Sequence, residues 1–406
     1  MLAALLLSFP CPCLAPASEL LRPPRVRLGI EVLLEERIEL IEGKRVGLIT
    51  NPSGVDGALV PTVDRLARDG RFELVALFGP EHGIRGEVAA GDPVDDAVDP
   101  RTKIPVVSLY GASKRPSVES LAKVDVLLFD LQDVGARCYT YISTLGEAMQ
   151  ACAEAKKPLV VLDRPNPLGG LAFEGPLREE RWKTFIGWGP VPVTHGLTVG
   201  EIGRLYKAEL DLGCELTVVP MQGWKRSMVW SDTGLTWTQT SPHIPSALSA
   251  YLYVATAMAA SSTSNVSDGV GSTMPFELLG AEFVDARELR LALEQAGLAG
   301  VRFQEIAWQP FYGKFAKQPL RGVRLVLDDP HAFRPVRAAV TFLATLRALY
   351  PDQLELESVE VLAKHWGNEQ TRERLCAGDS AAEILAGWEQ DRARFGAARE
   401  KILLYR

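Results

Sequence analysis

Long hydrophobic runs and long basic runs are both missing from this chain of 406 residues. No segment beyond the N-terminus reaches the ~18 uncharged apolar residues that a membrane-spanning helix needs, so we expect no stable membrane insertion. The net charge is −7 and no basic run exceeds a few residues, which argues against nucleic acid as a partner. Hydrophobic residues still make up 47% of the chain, which is ample for a globular core.

Cysteine and histidine are scarce, at six and five residues. The cysteines beyond residue 100 are scattered and have neither zinc-ligand spacing nor the density of a disulfide framework, so we expect buried free thiols. No His-Glu-x-x-His pattern occurs, and we predict neither a metal nor another cofactor. Phosphate loops of the G-x-G-x-x-G or Gly-Lys-Ser/Thr type and the Gly-x-Ser-x-Gly motif are absent too, so nucleotide binding and serine catalysis have no support.

The N-terminus, from Met1 to Ala17, is apolar and ends in small residues. It resembles the hydrophobic region and cleavage site of a secretory signal, although a basic first segment is missing. We therefore predict a signal-like leader over 1–27 and a secreted or periplasmic location.

Five apolar runs in the first half of the chain each end abruptly in polar residues. Short apolar runs with helical segments between them are typical of buried parallel strands. In open sheets of this kind, ligands bind beyond the carboxyl ends of the strands, which is where the polar residues follow. The runs are Arg45–Thr50, Leu74–Phe78, Val106–Leu109, Val126–Phe129 and Leu159–Leu162.

Helical spacing and capping signals complete the outline. The sequence predicts helices over 28–40, 116–123 and 140–157, and a capping box at Thr198–Glu201 opens another helix before a strand at 216–220. Beyond 221 the pattern is looser, with a polar loop at 261–276, helices at 286–294, 335–349 and 381–395, and a strand at 323–327. We predict an α/β fold, with a Rossmann-like parallel-sheet domain over 28–249 and a second, smaller α/β domain over 250–406.

Gly79-Pro80-Glu81-His82-Gly83 is the sharpest of the polar clusters. Its glycines allow a tight turn that places a carboxylate and an imidazole at a strand end. A carboxyl group in a cleft can serve as a general acid, and the histidine can orient it or bind substrate. The alternative is a structural loop pair that hydrogen-bonds to the backbone.

Three further clusters have both a functional and a structural interpretation. Asp130 and Asp133 precede Arg137, which could neutralise either of them in a structural ion pair. The segment Asp163–Pro167 pairs opposite charges and is stiffened by two prolines, which suits sugar hydroxyls and also simply holds a loop. His195 lies just ahead of the capping box, where it is either a ligand or a loop cap.

Six motifs in this order resemble the NamZ family of exo-β-N-acetylmuramidases, which are glycoside hydrolases. The resemblance runs from about residue 28 to the C-terminus. It implies a Rossmann-like N-terminal domain, a smaller C-terminal domain, an active cleft between them, and release of N-acetylmuramic acid from the non-reducing ends of peptidoglycan fragments. The motifs are Gly47–Gly54, Phe78–Gly83, Phe129–Arg137, Asp163–Gly170, Glu174–Pro176 and His195–Glu201.

The resemblance identifies Glu81 as the catalytic carboxylate. We predict it to be the acid/base, with His82 and Asp130 also catalytic and with Asp133 and Asp163 as other candidates for a second carboxyl group. Because glycosidases normally use two carboxyl groups, their separation would decide between retention and inversion. The predicted substrate-binding residues are Asn51, Asp133, Arg137, Asp163, Arg164, Asn166, His195 and Asn265.

Ser262, Asp268 and Val270 depart from the family pattern. Ser262 stands where relatives commonly have glutamate, and Val270 where they commonly have arginine, while Asp268 replaces a glutamate. An arginine at position 270 would be a natural partner for the lactyl carboxylate of muramic acid. Without it, we expect either a weaker preference for muramic acid or another cation in its place, for which the obvious candidates are Arg137, Arg164 and Arg85.

Two other functions remain open at this point. One is a non-catalytic protein that binds cell-wall sugars. Such a protein would release no chromophore from a chromogenic muramic acid glycoside, whereas a glycosidase would. The other is a metal-dependent hydrolase, distinguished by loss of activity after chelation. Its candidate ligands are Glu81, His82, Asp130 and His195.

Overall fold

The computed structural model of the chain describes residues 25–86, 96–111 and 113–406. Residues 1–24 of the predicted leader lie outside the described residues. Among the described residues, two sheets organise the fold, one of seven strands and one of three.

The larger sheet has the strand order β3-β4-β2-β1-β5-β6-β7, and every neighbouring pair is parallel except the short β3 against β4. All five predicted strands are present and parallel, which confirms the α/β class. Because the chain leaves β1 toward β2 on one side and later returns to β5 on the other, a crevice opens at the carboxyl ends of these strands. The strands are Arg45–Thr50 (β1), Glu73–Gly79 (β2), Ala97–Val98 (β3), Pro105–Ser108 (β4), Val126–Asp130 (β5), Leu159–Leu162 (β6) and Leu216–Val219 (β7).

Helices flank this sheet largely where the sequence places them. The predicted capping box is present, with the Thr198 hydroxyl accepting the backbone N–H of Glu201 and the Glu201 carboxylate accepting that of Thr198. The helix predicted over 28–40 is shorter, because the backbone leaves helical geometry at Arg37 and continues as a 3₁₀ turn. The helices are Gly29–Glu36 (α1), Thr62–Ala67 (α2), Val118–Leu121 (α3), Tyr141–Ala155 (α4) and Val199–Glu209 (α5).

The smaller sheet is antiparallel, in the order β8-β10-β9, and carries helices against it. Its elements are Ala247–Ser261 (α6), Leu278–Ala281 (β8), Ala286–Gln295 (α7), Val301–Trp308 (β9), Leu320–Leu327 (β10), Pro335–Leu349 (α8), Val359–Trp366 (α9), Gln370–Ala377 (α10), Ala381–Ala386 (α11) and Glu389–Glu400 (α12).

The single helix predicted over 381–395 is wrong, because the chain turns at Gly387 and divides it into α11 and α12. This turn allows the buried ring of Trp388 to stack on Trp366, with 5.5 Å between ring centroids. Burial of two large aromatic rings stabilises the break more than one continued helical turn would.

A buried ion pair fixes the carboxyl edge of the larger sheet. The Arg164 guanidinium, which follows β6, donates to both carboxylate oxygens of Asp130 at the end of β5, at 2.6 and 2.9 Å. It also donates to the backbone carbonyl of Val55 in the loop after β1, while Thr62 of α2 donates to Asp130 at 2.5 Å. Four segments are thereby held together without contact with water.

We expect Arg164→Met to lower the free energy of unfolding by about 3–5 kcal/mol, because it leaves Asp130 charged and buried without its partner. The control is Arg45→Met, which breaks the exposed Arg45–Asp125 pair and should change the free energy of unfolding far less, because solvent screens this pair. Equilibrium denaturation of both variants measures the difference. Equal losses would contradict a structural role for the buried pair.

Candidate active site

Glu81 is presented by a strained turn directly after β2. His82 and Gly83 both have left-handed backbones, with φ of 76° and 72°, and the Gly83 N–H donates to the Pro80 carbonyl at 3.0 Å. Glycine adopts this conformation freely, whereas for histidine it is unfavourable and is found where the surroundings enforce it. The His82 side chain is buried, and Glu81 is half-buried beside it.

Two other strand-end segments contribute contacts to Glu81. The Thr140 hydroxyl, at the start of α4, donates to the Glu81 carboxylate at 2.9 Å. Tyr110, which follows β4, lies beside the same carboxylate. Burial, together with the charge of Glu81 and a hydrogen bond to it, raises the pKa of Tyr110 to about 12. The phenol therefore stays protonated and able to donate at any physiological pH.

Three tyrosines form a packed layer next to this carboxylate, and we call it the tyrosine layer: Tyr139, Tyr141 and Tyr253. The rings of Tyr139 and Tyr141 are 4.8 Å apart, and those of Tyr139 and Tyr253 are 5.8 Å apart. Burial raises the pKa of each, and the charge of Glu81 contributes for Tyr141 and Tyr253. Because Tyr253 belongs to α6, the site is built from both parts of the chain.

Lys114 and two aromatic rings form a wall beside Glu81. The Lys114 ammonium lies 3.4 Å above the centre of the Tyr110 ring and 5.2 Å from the centre of the Phe185 ring. Lys114, Tyr110 and Phe185 are all half-buried, so a cation and two aromatic rings lie beside Glu81 and remain partly accessible to solvent. Aromatic faces with a nearby charge are well suited to bind a charged sugar.

Asp133 and His195 form a buried pair near the tyrosine layer. His195 Nε2 lies 3.6 Å from Asp133 Oδ2, which also accepts the Gly135 N–H at 2.7 Å. Within the described part of the chain, neither Asp133 Oδ1 nor His195 Nε2 has a hydrogen-bond partner. The charge of Asp133 reaches Tyr139, where it contributes to the raised pKa. This pair is therefore polar, enclosed and incompletely satisfied.

Comparison with known proteins identifies the family. Two family descriptions, "Exo-beta-N-acetylmuramidase NamZ" N-terminal and C-terminal, match residues 46–248 and 251–405. The chain is 41% identical to the peptidoglycan beta-N-acetylmuramidase NamZ of Bacillus subtilis (strain 168) over 384 residues, which cover 95% of this chain and 92% of that protein. The chain belongs to the NamZ family.

Two solved structures share this NamZ fold, and both are DUF1343 family proteins from Bacteroides fragilis NCTC 9343. One is 39% identical with a TM-score of 0.88 and covers 95% of this chain and all of its own. The other is 27% identical with a TM-score of 0.73 and covers 94% of this chain and 99% of its own. The predicted family resemblance and fold class are therefore confirmed.

Several predicted site residues of this NamZ chain lie in the interior. Asp130 and Arg164 form the ion pair described above. The carboxylate of Asp163 accepts four donors, which are the hydroxyls of Tyr405 (2.5 Å) and Thr198 (2.7 Å) and the N–H groups of Gly200 (2.8 Å) and Arg164 (3.0 Å). Burial nevertheless raises the pKa of Asp163 to about 6. This geometry favours structural roles for Asp130, Asp163 and Arg164.

Among the described residues, Arg137 pairs with neither Asp130 nor Asp133, so the structural ion pair that the sequence offered as an alternative does not form there. Its guanidinium donates to three backbone carbonyls, those of Pro176, Val191 and His365, at 2.8 to 3.0 Å. Burial lowers its pKa to about 10. Since it is 1% exposed and links the first part of the chain to α9, its geometry favours packing rather than sugar binding.

The amide side chains predicted to bind substrate also have internal partners. Asn51 donates to the Tyr141 hydroxyl and thereby supports the tyrosine layer. Asn166 donates to the Leu197 carbonyl at 2.9 Å, and Asn265 donates to the Gln353 carbonyl at 2.7 Å. Asn51 and Asn166 therefore hold the carboxyl edge of the sheet, whereas Asn265 anchors the loop before β8.

The three residues that depart from the family pattern, Ser262, Asp268 and Val270, lie in different surroundings. Ser262 is buried, where its hydroxyl donates to the Met258 carbonyl and accepts the Trp366 indole N–H at 2.8 Å. Val270 packs partly against the core. The carboxyl of Asp268 has a pKa raised by burial, and the charge of its neighbour His243 acts against that rise.

The sequence analysis missed four contributors to the site. Tyr110 directly follows the apolar run Val106–Leu109, and Thr140 begins the helix predicted over 140–157, but neither belongs to one of the motifs. Lys114 and Tyr253 belong to no motif either. Folding brings each of them to the site, and their spacing along the chain gives no sign of it.

No group of three or more His, Cys, Asp or Glu side chains is placed to hold a metal ion in the ranges 25–86, 96–111 and 113–406. Within these ranges, the candidate ligands of the metal-dependent alternative, which are Glu81, His82, Asp130 and His195, therefore form no such group. In the same ranges, none of the helices has the length and apolarity to span a membrane.

We expect neutral His195 to carry its proton on Nε2, because Nδ1 accepts the backbone N–H of Leu197 at 3.2 Å. Long-range ¹H–¹⁵N spectra of histidine-labelled protein report which ring nitrogen is protonated. The chain has five histidines, and His195→Gln assigns the signal by its disappearance. A proton found on Nδ1 in the neutral ring would contradict this arrangement.

Proposed function

We propose that the chain is an exo-acting glycoside hydrolase that releases N-acetylmuramic acid from the non-reducing ends of peptidoglycan fragments. The observation that carries the proposal is the match along almost the whole chain to a relative named as a peptidoglycan β-N-acetylmuramidase. The surroundings of Glu81 are consistent with this chemistry, since they combine a carboxyl group, protonated phenols and aromatic rings.

Glu81 is the acid/base in this proposal. The turn that carries Glu81 follows β2 directly, and the Thr140 hydroxyl donates to one oxygen of the carboxylate. The orientation of the Glu81 carboxyl group is therefore defined. A positioned carboxyl group can donate a proton to the leaving glycosidic oxygen and afterwards accept one from water. Tyr110, protonated beside it, is a donor for a sugar or for the carboxylate itself.

Asp133 is the second carboxyl group in this proposal. Asp130 and Asp163 have both oxygens engaged by interior donors, whereas Asp133 retains Oδ1 without a partner among the described residues. The charge of Asp133 acts on Tyr139 and that of Glu81 acts on Tyr141 and Tyr253, so both carboxyl groups lie near the tyrosine layer. His195 Nε2 lies 3.6 Å from the other oxygen of Asp133, Oδ2, so an imidazole adjoins this carboxyl group.

We also propose that the protein acts outside the cytoplasm. The support is the apolar segment from Met1 to Ala17 with small residues at its end, and the fact that peptidoglycan lies outside the cell membrane.

We expect Glu81→Gln to lower turnover of a chromogenic N-acetylmuramic acid glycoside at least ~100-fold, because the amide cannot transfer the proton. Glu73→Gln is the matched control, since Glu73 lies exposed at the opposite end of the same strand and should leave turnover unchanged. Thermal unfolding confirms that both variants fold. Near-normal turnover by the Glu81 variant would refute the assignment, and no release by the wild-type protein would favour the sugar-binding alternative.

We expect activity to survive chelation, because the proposed chemistry uses side-chain carboxyl groups alone. The measurement is turnover after treatment with EDTA and dialysis, with each divalent ion then added back. Loss of activity that one divalent ion restores would replace this proposal with the metal-dependent alternative.

A further inference from the structure

We propose that Lys114 binds the lactyl carboxylate of the substrate and thereby sets the preference for muramic acid over glucosamine. This inference rests on the proposed function, because it concerns the sugar that lies against Glu81. Muramic acid differs from glucosamine by a lactyl ether on the same ring, so the distinguishing group is an anion one sugar ring away from the scissile bond. A cation beside the sugar is what such a group requires.

The arginines that the sequence offers for this task are already engaged. Arg85 binds Asp99 through two bonds of 2.8 and 3.0 Å and contacts Asp64 at 3.1 Å. Arg164 is paired with Asp130, and Arg137 is enclosed by backbone carbonyls. Moving any of these three guanidinium groups to a substrate would leave buried partners unsatisfied, which is costly.

Lys114 differs from them in its partners. Its ammonium lies against the ring faces of Tyr110 and Phe185, and it forms no ion pair with a carboxylate among the described residues. Partial burial lowers the pKa of Lys114, and the nearby charge of Glu81 opposes that change. A partly desolvated ammonium without a bound carboxylate gains most from an arriving anion, because less water has to be displaced.

The position of Lys114 relative to Glu81 also fits one sugar ring. Lys114 stacks on Tyr110, and the hydroxyl end of that tyrosine lies beside the Glu81 carboxylate. The cation and the acid/base therefore both lie against Tyr110, and the charge of Glu81 acts on Lys114. A sugar lying along this ring has its glycosidic oxygen near Glu81 and its lactyl group near Lys114. Val270 then needs no arginine for the anion to be recognised.

The test compares three chromogenic glycosides: that of N-acetylmuramic acid, the same compound with its lactyl carboxylate converted to a carboxamide, and that of N-acetylglucosamine. We expect Lys114→Met to lower the ratio of kcat/KM for the free acid to kcat/KM for the carboxamide at least ~10-fold, because one charge-assisted hydrogen bond is lost. The loss should appear mainly in KM. Lys114→Arg should restore most of the ratio.

Arg115→Met is the matched control, because Arg115 is the next residue and its guanidinium is paired with Glu154 at 3.0 Å on the surface. It should leave the ratio unchanged. An unchanged ratio in Lys114→Met, or an equal loss on all three glycosides, would overturn the inference while leaving the proposed function intact.

Equilibrium binding separates the two proposals further. Isothermal titration with free N-acetylmuramic acid and free N-acetylglucosamine needs no turnover, so it tests Lys114 even if no glycoside is cleaved. We expect the wild-type protein to bind the acid more tightly and Lys114→Met to lose that difference. Equal affinity of the wild-type protein for the two sugars would overturn the inference.

Discussion

The ion pair between Asp130 and Arg164 is the interaction on which the carboxyl edge of the sheet depends. It ties the end of β5 to the segment after β6, and through Val55 and Thr62 it also holds the loop after β1 and the start of α2. A buried pair of this kind contributes little net energy, but its geometry is strict. Its main effect is therefore to fix the segments that border the site relative to one another.

The site is completed from outside the sheet. Glu81 and the first two tyrosines of the tyrosine layer come from the parallel-sheet part, whereas Tyr253 comes from α6 in the second part. The guanidinium of Arg137 connects the two parts again through the carbonyl of His365. Because the contacts of Tyr253 and Arg137 join the two parts, a displacement of one part relative to the other would change the surroundings of Glu81.

The sequence predicted the strands, their parallel direction and the turn at Glu81, because each depends on a short segment. It did not distinguish Asp130 and Asp163 from catalytic carboxylates, since their donors come from positions 34 and 242 residues away. Helix α6 shows no clear hydrophobic periodicity, because it is buried and apolar on nearly all of its faces, so no polar face contrasts with an apolar one. Lys114 lies in a loop, where spacing carries no information on neighbours.

The bond between Asp163 and Tyr405 bears on how this protein emerges from the ribosome. The strand β6 and its aspartate are synthesised 242 residues before the tyrosine that donates to that aspartate. At typical bacterial and eukaryotic elongation rates this interval is on the order of tens of seconds. During that time Asp163 lacks one of its four donors, so the end of β6 stays open to water. Final closure of the parallel-sheet part therefore waits until Tyr405 has been synthesised, although its strands are made first.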